Sequence, residues 1–131
     1  MKDIRLALHD LLIADATVAS IAGTRVFPMR LPQGQRNPSV VYFIVTEFEY
    51  TFMEDTTHLR NVQMQFDCYA VDADSSVSLA NAVKDVLTGF RGVMNTIDIQ
   101  GIFLTTGREG FDFEGQLFNA SRDYYVWYRD S

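Results

Sequence analysis

The stretch Ser39–Phe48 constrains the fold most, because it is apolar on both of the faces that a β-strand presents. Its centre, residues 40–45, reads VVYFIV and offers no polar residue at alternate positions. Successive side chains of a strand point to opposite faces, so both faces of this strand need cover. We therefore expect it to lie inside a sheet that is covered on both sides.

A second strand is predicted over Leu59–Ala70, where polarity alternates instead. Every even-numbered residue from 62 to 70 is apolar, whereas the odd-numbered positions between them are mainly polar. One face of this strand should therefore pack and the other should be wetter. The intervening residues 49–58 mix acids with aromatic residues and are expected to form a long hairpin or flap.

Apolar residues recur at helical spacing in two longer segments and one short one. Residues 4–12 predict an amphipathic first helix, and Asp15 is the expected N-cap of a short second helix that stops at Gly23. Residues 72–76 are rich in N-cap candidates, and the apolar positions of residues 79–87 then repeat at three and four.

Two further strands are predicted near the C-terminus, Ile97–Thr105 and Leu117–Tyr128, joined by a Gly-rich connection from Gly107 to Gly115. The order of elements is typical of an α+β fold. We expect a single domain over residues 1–131, with a mainly antiparallel sheet and two principal helices on one face. A mixed sheet is the alternative.

All three prolines lie between Pro28 and Pro38, so neither a helix nor a central strand can persist there. This segment is therefore predicted to be a restricted surface loop.

The charge balance argues against binding to nucleic acid or to a membrane. Eleven Lys and Arg stand against seventeen Asp and Glu, which gives a formal net charge of −6. Phosphate groups and anionic lipids attract concentrated basic residues instead. No targeting segment or long apolar stretch is found, so we expect the chain to be made in a reducing cytosol.

No residue pattern indicates an enzyme or a metal site. Cys68 lies on the apolar face of its strand, where a free thiol acts as a small hydrophobic residue. His9 and Asp10 are adjacent on the first helix, and adjacent helical positions diverge, so a catalytic dyad is not expected. The acidic residues of positions 47–55 are interpreted as a solvated strand end. We expect no catalytic, cofactor-binding or metal-binding residue.

The run Tyr124–Tyr128 concentrates five bulky residues in one strand. Helices can cover only one of its faces, so the other face is either covered by a second chain or left exposed as an apolar patch. Core packing with the tyrosine hydroxyls reaching solvent is the second interpretation, and the sequence leaves both open.

Three stretches, in this order and spacing, resemble a known family. The first runs from Val26-Phe27-Pro28 through Pro38 to Tyr42, and the second joins residues 62–70 to the helix of residues 79–87 and to Phe90-Arg91-Gly92. The third runs from Glu114 to Tyr128. Together they resemble the tail-completion, or head-to-tail joining, proteins of long-tailed bacteriophages.

The resemblance implies a structural virion protein, not an enzyme, that forms a ring of six copies on the tail tube. Such a ring stops tube polymerisation and offers a docking surface to the head. The implied partners are further copies of the chain, the tail tube protein and the head connector or head-completion protein. DNA passes through without specific binding. The implied location is the bacterial cytoplasm during assembly, of a phage or prophage, and then the head-proximal end of the virion tail.

Two segments are the candidate partner-binding sites. The proline-flanked loop restricts its own unfolded states and offers hydrogen-bond donors, and residues 49–58 bring aromatic side chains. The candidate residues are Arg30, Leu31, Gln33, Arg36, Tyr50, Phe52 and Met53. A small-ligand-binding or regulatory α+β module of a bacterial cytosolic protein is the alternative function, and it requires a concave pocket with convergent polar groups.

Overall fold

The computed structural model describes residues 3–48 and 59–130, in which three helices accompany a six-stranded sheet. The helices are α1 (Ile4–Ala14), α2 (Ala16–Ala22) and α3 (Ala73–Leu87). The strands are β1 (Val26–Pro28), β2 (Ser39–Phe48), β3 (Leu59–Ala70), β4 (Gly92–Met94), β5 (Ile97–Asp112) and β6 (Leu117–Asp130). The predicted α+β fold is confirmed, with the two longer helices where the periodicity placed them.

The sheet is mixed, with the strand order β1-β2-β3-β6-β5-β4. Only β1 and β2 run parallel, and every other neighbouring pair is antiparallel. β3 and β6 occupy the centre and pair over the full length of β3, from Leu59 opposite Arg129 to Ala70 opposite Phe118. The centre of the sheet therefore joins two strands that are far apart in sequence.

The helices pack against one face of the sheet, and the predicted alternation of β3 decides which face this is. Its even-numbered residues from 62 to 70 are all buried in the core. Opposite them on β6, Tyr124 is fully buried and packs edge-on against Phe66, with ring centroids 5.7 Å apart. Each fully buried large apolar side chain contributes about 1.5–3 kcal/mol, so this face carries much of the stability.

Each helix begins at an aspartate whose side chain accepts a backbone N–H. The carboxylate of Asp3 accepts from Arg5, that of Asp15 from Val18, and that of Asp72 from Ser75. These bonds satisfy donors that have no partner within a helix. The predicted N-cap at Asp15 and the predicted cap region before α3 are thus confirmed.

The expectation that both faces of β2 are covered is correct for only its first half. Ser39 to Tyr42 are buried, whereas Val45, Thr46 and Glu47 are exposed. The exposed half begins at the register shift between Ile44 and Thr46, where Val45 has no partner residue on β3 and the irregularity turns the strand.

The predicted connection from Gly107 to Gly115 is wrong in its extent. β5 continues to Asp112, and only residues 113–116 form the turn to β6. The glycines lowered the strand propensity, but pairing with β6 overrides it. At Gly107 an added Cβ would lie 2.8 Å from Cδ of Arg122 on the paired strand, so a larger residue there requires the Arg122 side chain to move.

Candidate functional site

The proline-flanked loop, residues 29–38, leaves the end of β1 and returns to the start of β2. Its first residue, Met29, has a φ of +71° and donates its backbone N–H to the carbonyl of Tyr42 at 3.0 Å. Arg30 and Gln33 are exposed, and Leu31 is half-buried. The loop therefore presents two of the predicted binding side chains to solvent and partly shelters a third.

Arg36 is held within the chain. Its guanidinium donates to the carbonyl of Gly115 at 3.0 Å and to that of Gln116 at 3.4 Å. Both carbonyls belong to the turn between β5 and β6, almost 80 residues away in sequence. The predicted binding residue Arg36 thus fastens the proline-flanked loop to this turn.

The turn between β5 and β6 carries a cluster of three phenylalanines. The centroid of the Phe111 ring lies 5.2 Å from that of Phe113 and 4.9 Å from that of Phe118. Both pairs of rings meet edge-on. Phe113 is 83% exposed and Phe111 is 39% exposed. Sequence reasoning missed this group, although two phenylalanines spaced by two residues were a signal that a strand continued through the glycines.

Acidic side chains border this aromatic group. Glu109, Asp112 and Glu114 are all exposed. Asp112 shapes the turn, since its carboxylate accepts the backbone N–H of Glu114 at 3.1 Å.

The face of the sheet opposite the helices, called the open face below, carries exposed aromatic side chains near its middle. Phe103 of β5 lies directly opposite Tyr125 of β6, and they are 55% and 36% exposed. Phe48 of β2 adds a third ring, 6.2 Å from that of Tyr125. In the described part of the chain the helices pack only on the other face, and Phe103 and Tyr125 remain exposed on the open face.

A polar network crosses the same face beside these rings. Arg108 donates to Gln65 at 2.8 Å and lies 3.6 Å from the carboxylate of Asp123. Gln65 in turn donates to Asp67 at 2.7 Å. Asp67 and Asp123 are 7% and 6% exposed, so this network places two buried carboxylates on the open face.

The expectation that His9 and Asp10 diverge is wrong. His9 Nδ1 lies 3.0 Å from Asp10 Oδ1, and Asn95 donates to the other carboxylate oxygen of Asp10 at 2.6 Å. The hydrogen bond from Asn95, followed by the one from His9, lowers the pKa of Asp10. Through the bond from Asn95, Asp10 ties α1 to the turn after β4.

Cys68 is buried within the core of the sheet. Burial raises the pKa of its thiol far above the ordinary range, and the charge of Asp67 adds to the effect. The thiol therefore stays protonated at neutral pH and lacks the nucleophilic thiolate form. Within residues 3–48 and 59–130, no cluster of three potential metal ligands occurs, and no described helix has the length and apolarity needed to span a bilayer.

A surface pocket of about 340 Å³ lies where β2, β3 and β6 end. Glu47, Phe48, Arg60, Asn61, Val62 and Tyr128 line it. The predicted binding residues Tyr50, Phe52 and Met53 belong to residues 49–58, which lie outside the described residues.

Comparisons with known proteins point in one direction. A sequence profile of the family described as "Tail completion protein gp17" matches residues 6–129. A chain from a structure titled "Virion of native gene transfer agent (GTA) particle" superposes with a TM-score of 0.76 at 17% sequence identity. The match covers 96% of this chain and 94% of that chain, and at this identity it shows the fold alone. A search of curated proteins finds no match.

Proposed function

This chain belongs to the tail completion protein gp17 family, and from that premise we propose that it forms a closed ring that caps the tail tube. Members of the family are structural proteins of the phage virion, not enzymes. In the proposed role, ring closure stops tube polymerisation, and the assembled ring offers a docking surface to the head connector or head-completion protein. The ring has six copies, as the resemblance of the sequence implies.

The main support for the proposal is the exposure of aromatic side chains on the open face. This face presents Phe103 and Tyr125, which are 55% and 36% exposed, on a surface against which no helix packs in the described part of the chain. Contiguous apolar groups bordered by polar residues mark surfaces of association. In the proposed oligomer, a neighbouring copy covers the side chains of Phe103 and Tyr125.

The geometry of Phe103 favours a flat contact. Its ring lies against Gly101, where an added Cβ would come within 3.0 Å of two ring carbons. Gly101 thus lets the ring lie along the sheet instead of standing away from it. A flat aromatic surface suits the large, well-packed centre of a protein interface.

Ring closure requires a heterologous contact, in which one surface of each copy meets a different surface of the next. The open face is one of these two surfaces. The proline-flanked loop, with Arg30, Leu31 and Gln33 turned outward or partly outward, remains free to contact the tail tube protein or the head protein.

The negative charge has a role in this ring. Each copy carries a formal charge of −6, and a lumen with an excess of acidic residues repels phosphate. DNA then passes through without binding. We expect no measurable DNA binding by the assembled ring at physiological salt.

The ring is tested with one exposed-aromatic variant and a matched control. Phe103→Gln removes an aromatic side chain from the open face. Leu6→Gln is the control, because Leu6 lies on α1 and its side chain is similarly exposed, at 52%. Both variants should remain folded, because both side chains are about half exposed.

The measurement is electron microscopy of tail tubes mixed with each protein. We expect caps with wild type and with Leu6→Gln, and few or none with Phe103→Gln. Equal capping by all three proteins would remove the open face from the interface.

A further inference from the structure

We propose that the end of the β5–β6 hairpin is a docking surface for a different protein, one that presents an apolar recess bordered by lysine or arginine. The surface, called the hairpin tip below, consists of Phe111, Phe113 and Phe118 with Glu109, Asp112 and Glu114. The inference rests on the proposed function, since it supplies the contact through which a capped tail meets its next component.

The aromatic part of the hairpin tip is built to remain exposed. Phe118 is partly covered and supports Phe111, which in turn contacts Phe113 edge-on. Phe113 is 83% exposed, the highest value among the large apolar side chains of the described chain. A side chain so exposed adds almost nothing to the core, and aromatic side chains clustered at the end of a hairpin are suited to act as interface anchors.

The hairpin tip is also ordered before any partner arrives. Arg36 fastens the turn from one side through two carbonyls, and Asp112 closes it from within by accepting the N–H of Glu114. Fixing a surface in advance lowers the entropy lost on binding. Arg36 is therefore a positioning residue for the hairpin tip.

The charge of the hairpin tip identifies the chemistry of its partner. None of the three acids forms an ion pair within residues 3–48 and 59–130, since Arg36 binds carbonyls and Arg108 is directed to Gln65 and Asp123. Exposed acids without an ion-pair partner, around an apolar centre, attract a surface with basic residues at its border, even with Arg36 fastened to the same turn. A second copy is the other candidate occupant, and the count of caps in the test below separates the two.

The test uses tails and heads purified from particles that lack this protein. Wild type, Phe113→Ser and the control Leu6→Ser are added over a range of concentrations, and joined particles are counted by electron microscopy. Caps on the tails are counted in the same images. Circular dichroism and a melting curve check that both variants are folded.

We expect Phe113→Ser to cap tails normally but to need on the order of 30-fold more protein for half-maximal joining, as when a central interface aromatic is removed. Leu6→Ser should match wild type. Replacing the three acids by Asn or Gln should weaken joining and reduce its dependence on salt.

Three results would overturn the inference. Normal joining by Phe113→Ser would show that the hairpin tip contacts nothing, and loss of caps in that variant would show that it contacts a second copy. Unchanged joining and salt dependence without the acids would show that the partner is not basic. Failure of wild type to cap tails would instead refute the proposed ring, and the docking surface with it.

Discussion

Tyr124 is fully buried at the centre of the core, yet its hydroxyl has no hydrogen-bond partner within the described residues. Burial raises the pKa of this hydroxyl well above its ordinary value, so it stays neutral. A buried polar group without a partner costs about 1–3 kcal/mol. The ring itself is needed, since it packs against Phe66.

Replacing Tyr124 with Phe should therefore stabilise the protein by about 1 kcal/mol, because it removes the hydroxyl and keeps the ring. Urea unfolding of the variant gives the free energy directly. Tyr125→Phe is the control, since Tyr125 is 36% exposed and its hydroxyl is not in the core. A clear loss of stability in Tyr124→Phe would mean that a buried water binds the hydroxyl.

At the scale of elements, α3 depends on its N-cap. The carboxylate of Asp72 accepts the N–H of Ser75 at 3.1 Å, and the helix then buries one apolar face on the sheet. Asp72→Ala should cost about 1 kcal/mol of unfolding free energy. Asp74→Ala, in the first turn but without a capping bond, should cost only a few tenths. Equal losses in thermal or urea unfolding would contradict this role of the cap.

The link between the proline-flanked loop and the β5–β6 turn is also an element-scale feature. Arg36→Ala removes two hydrogen bonds and should raise the rate of trypsin cleavage after Arg30 roughly tenfold, while the core stays folded. Arg91→Ala, which changes an exposed arginine far from this loop, is the control. An unchanged cleavage rate in Arg36→Ala would show that the link does not hold the loop.

Local patterns predicted most of the elements. The spacing of apolar residues located α1 and α3, and alternation located β3 with its correct ends. The same reasoning ended the fifth strand too early, because glycine lowers local strand propensity while pairing with β6 is a property of the folded sheet.

The candidate surfaces could be predicted only in part for the same reason. Arg36 was recognised as a donor, but its acceptors lie almost 80 residues further along the chain. The network of Arg108, Asp123 and Gln65 likewise joins three strands that only the sheet order brings together. No spacing in the sequence encodes such contacts.

At the scale of the whole molecule, the fold divides into a covered face and an open face. Three helices share the first, and aromatic rings and buried carboxylates occupy the second. One end of the sheet adds the hairpin tip, fastened to the proline-flanked loop. This arrangement suits a subunit with separate surfaces for its own copies and for another protein.

We propose that copies of this chain close into a ring on the tail tube. The most direct measurement is electron cryo-microscopy of tail tubes incubated with the purified protein and fresh tube subunits. We expect an annulus of six copies at one end of each tube, with the open face of each copy covered by its neighbour, and no further growth at that end. Bare tube ends that continue to elongate in the presence of monomeric protein would contradict it.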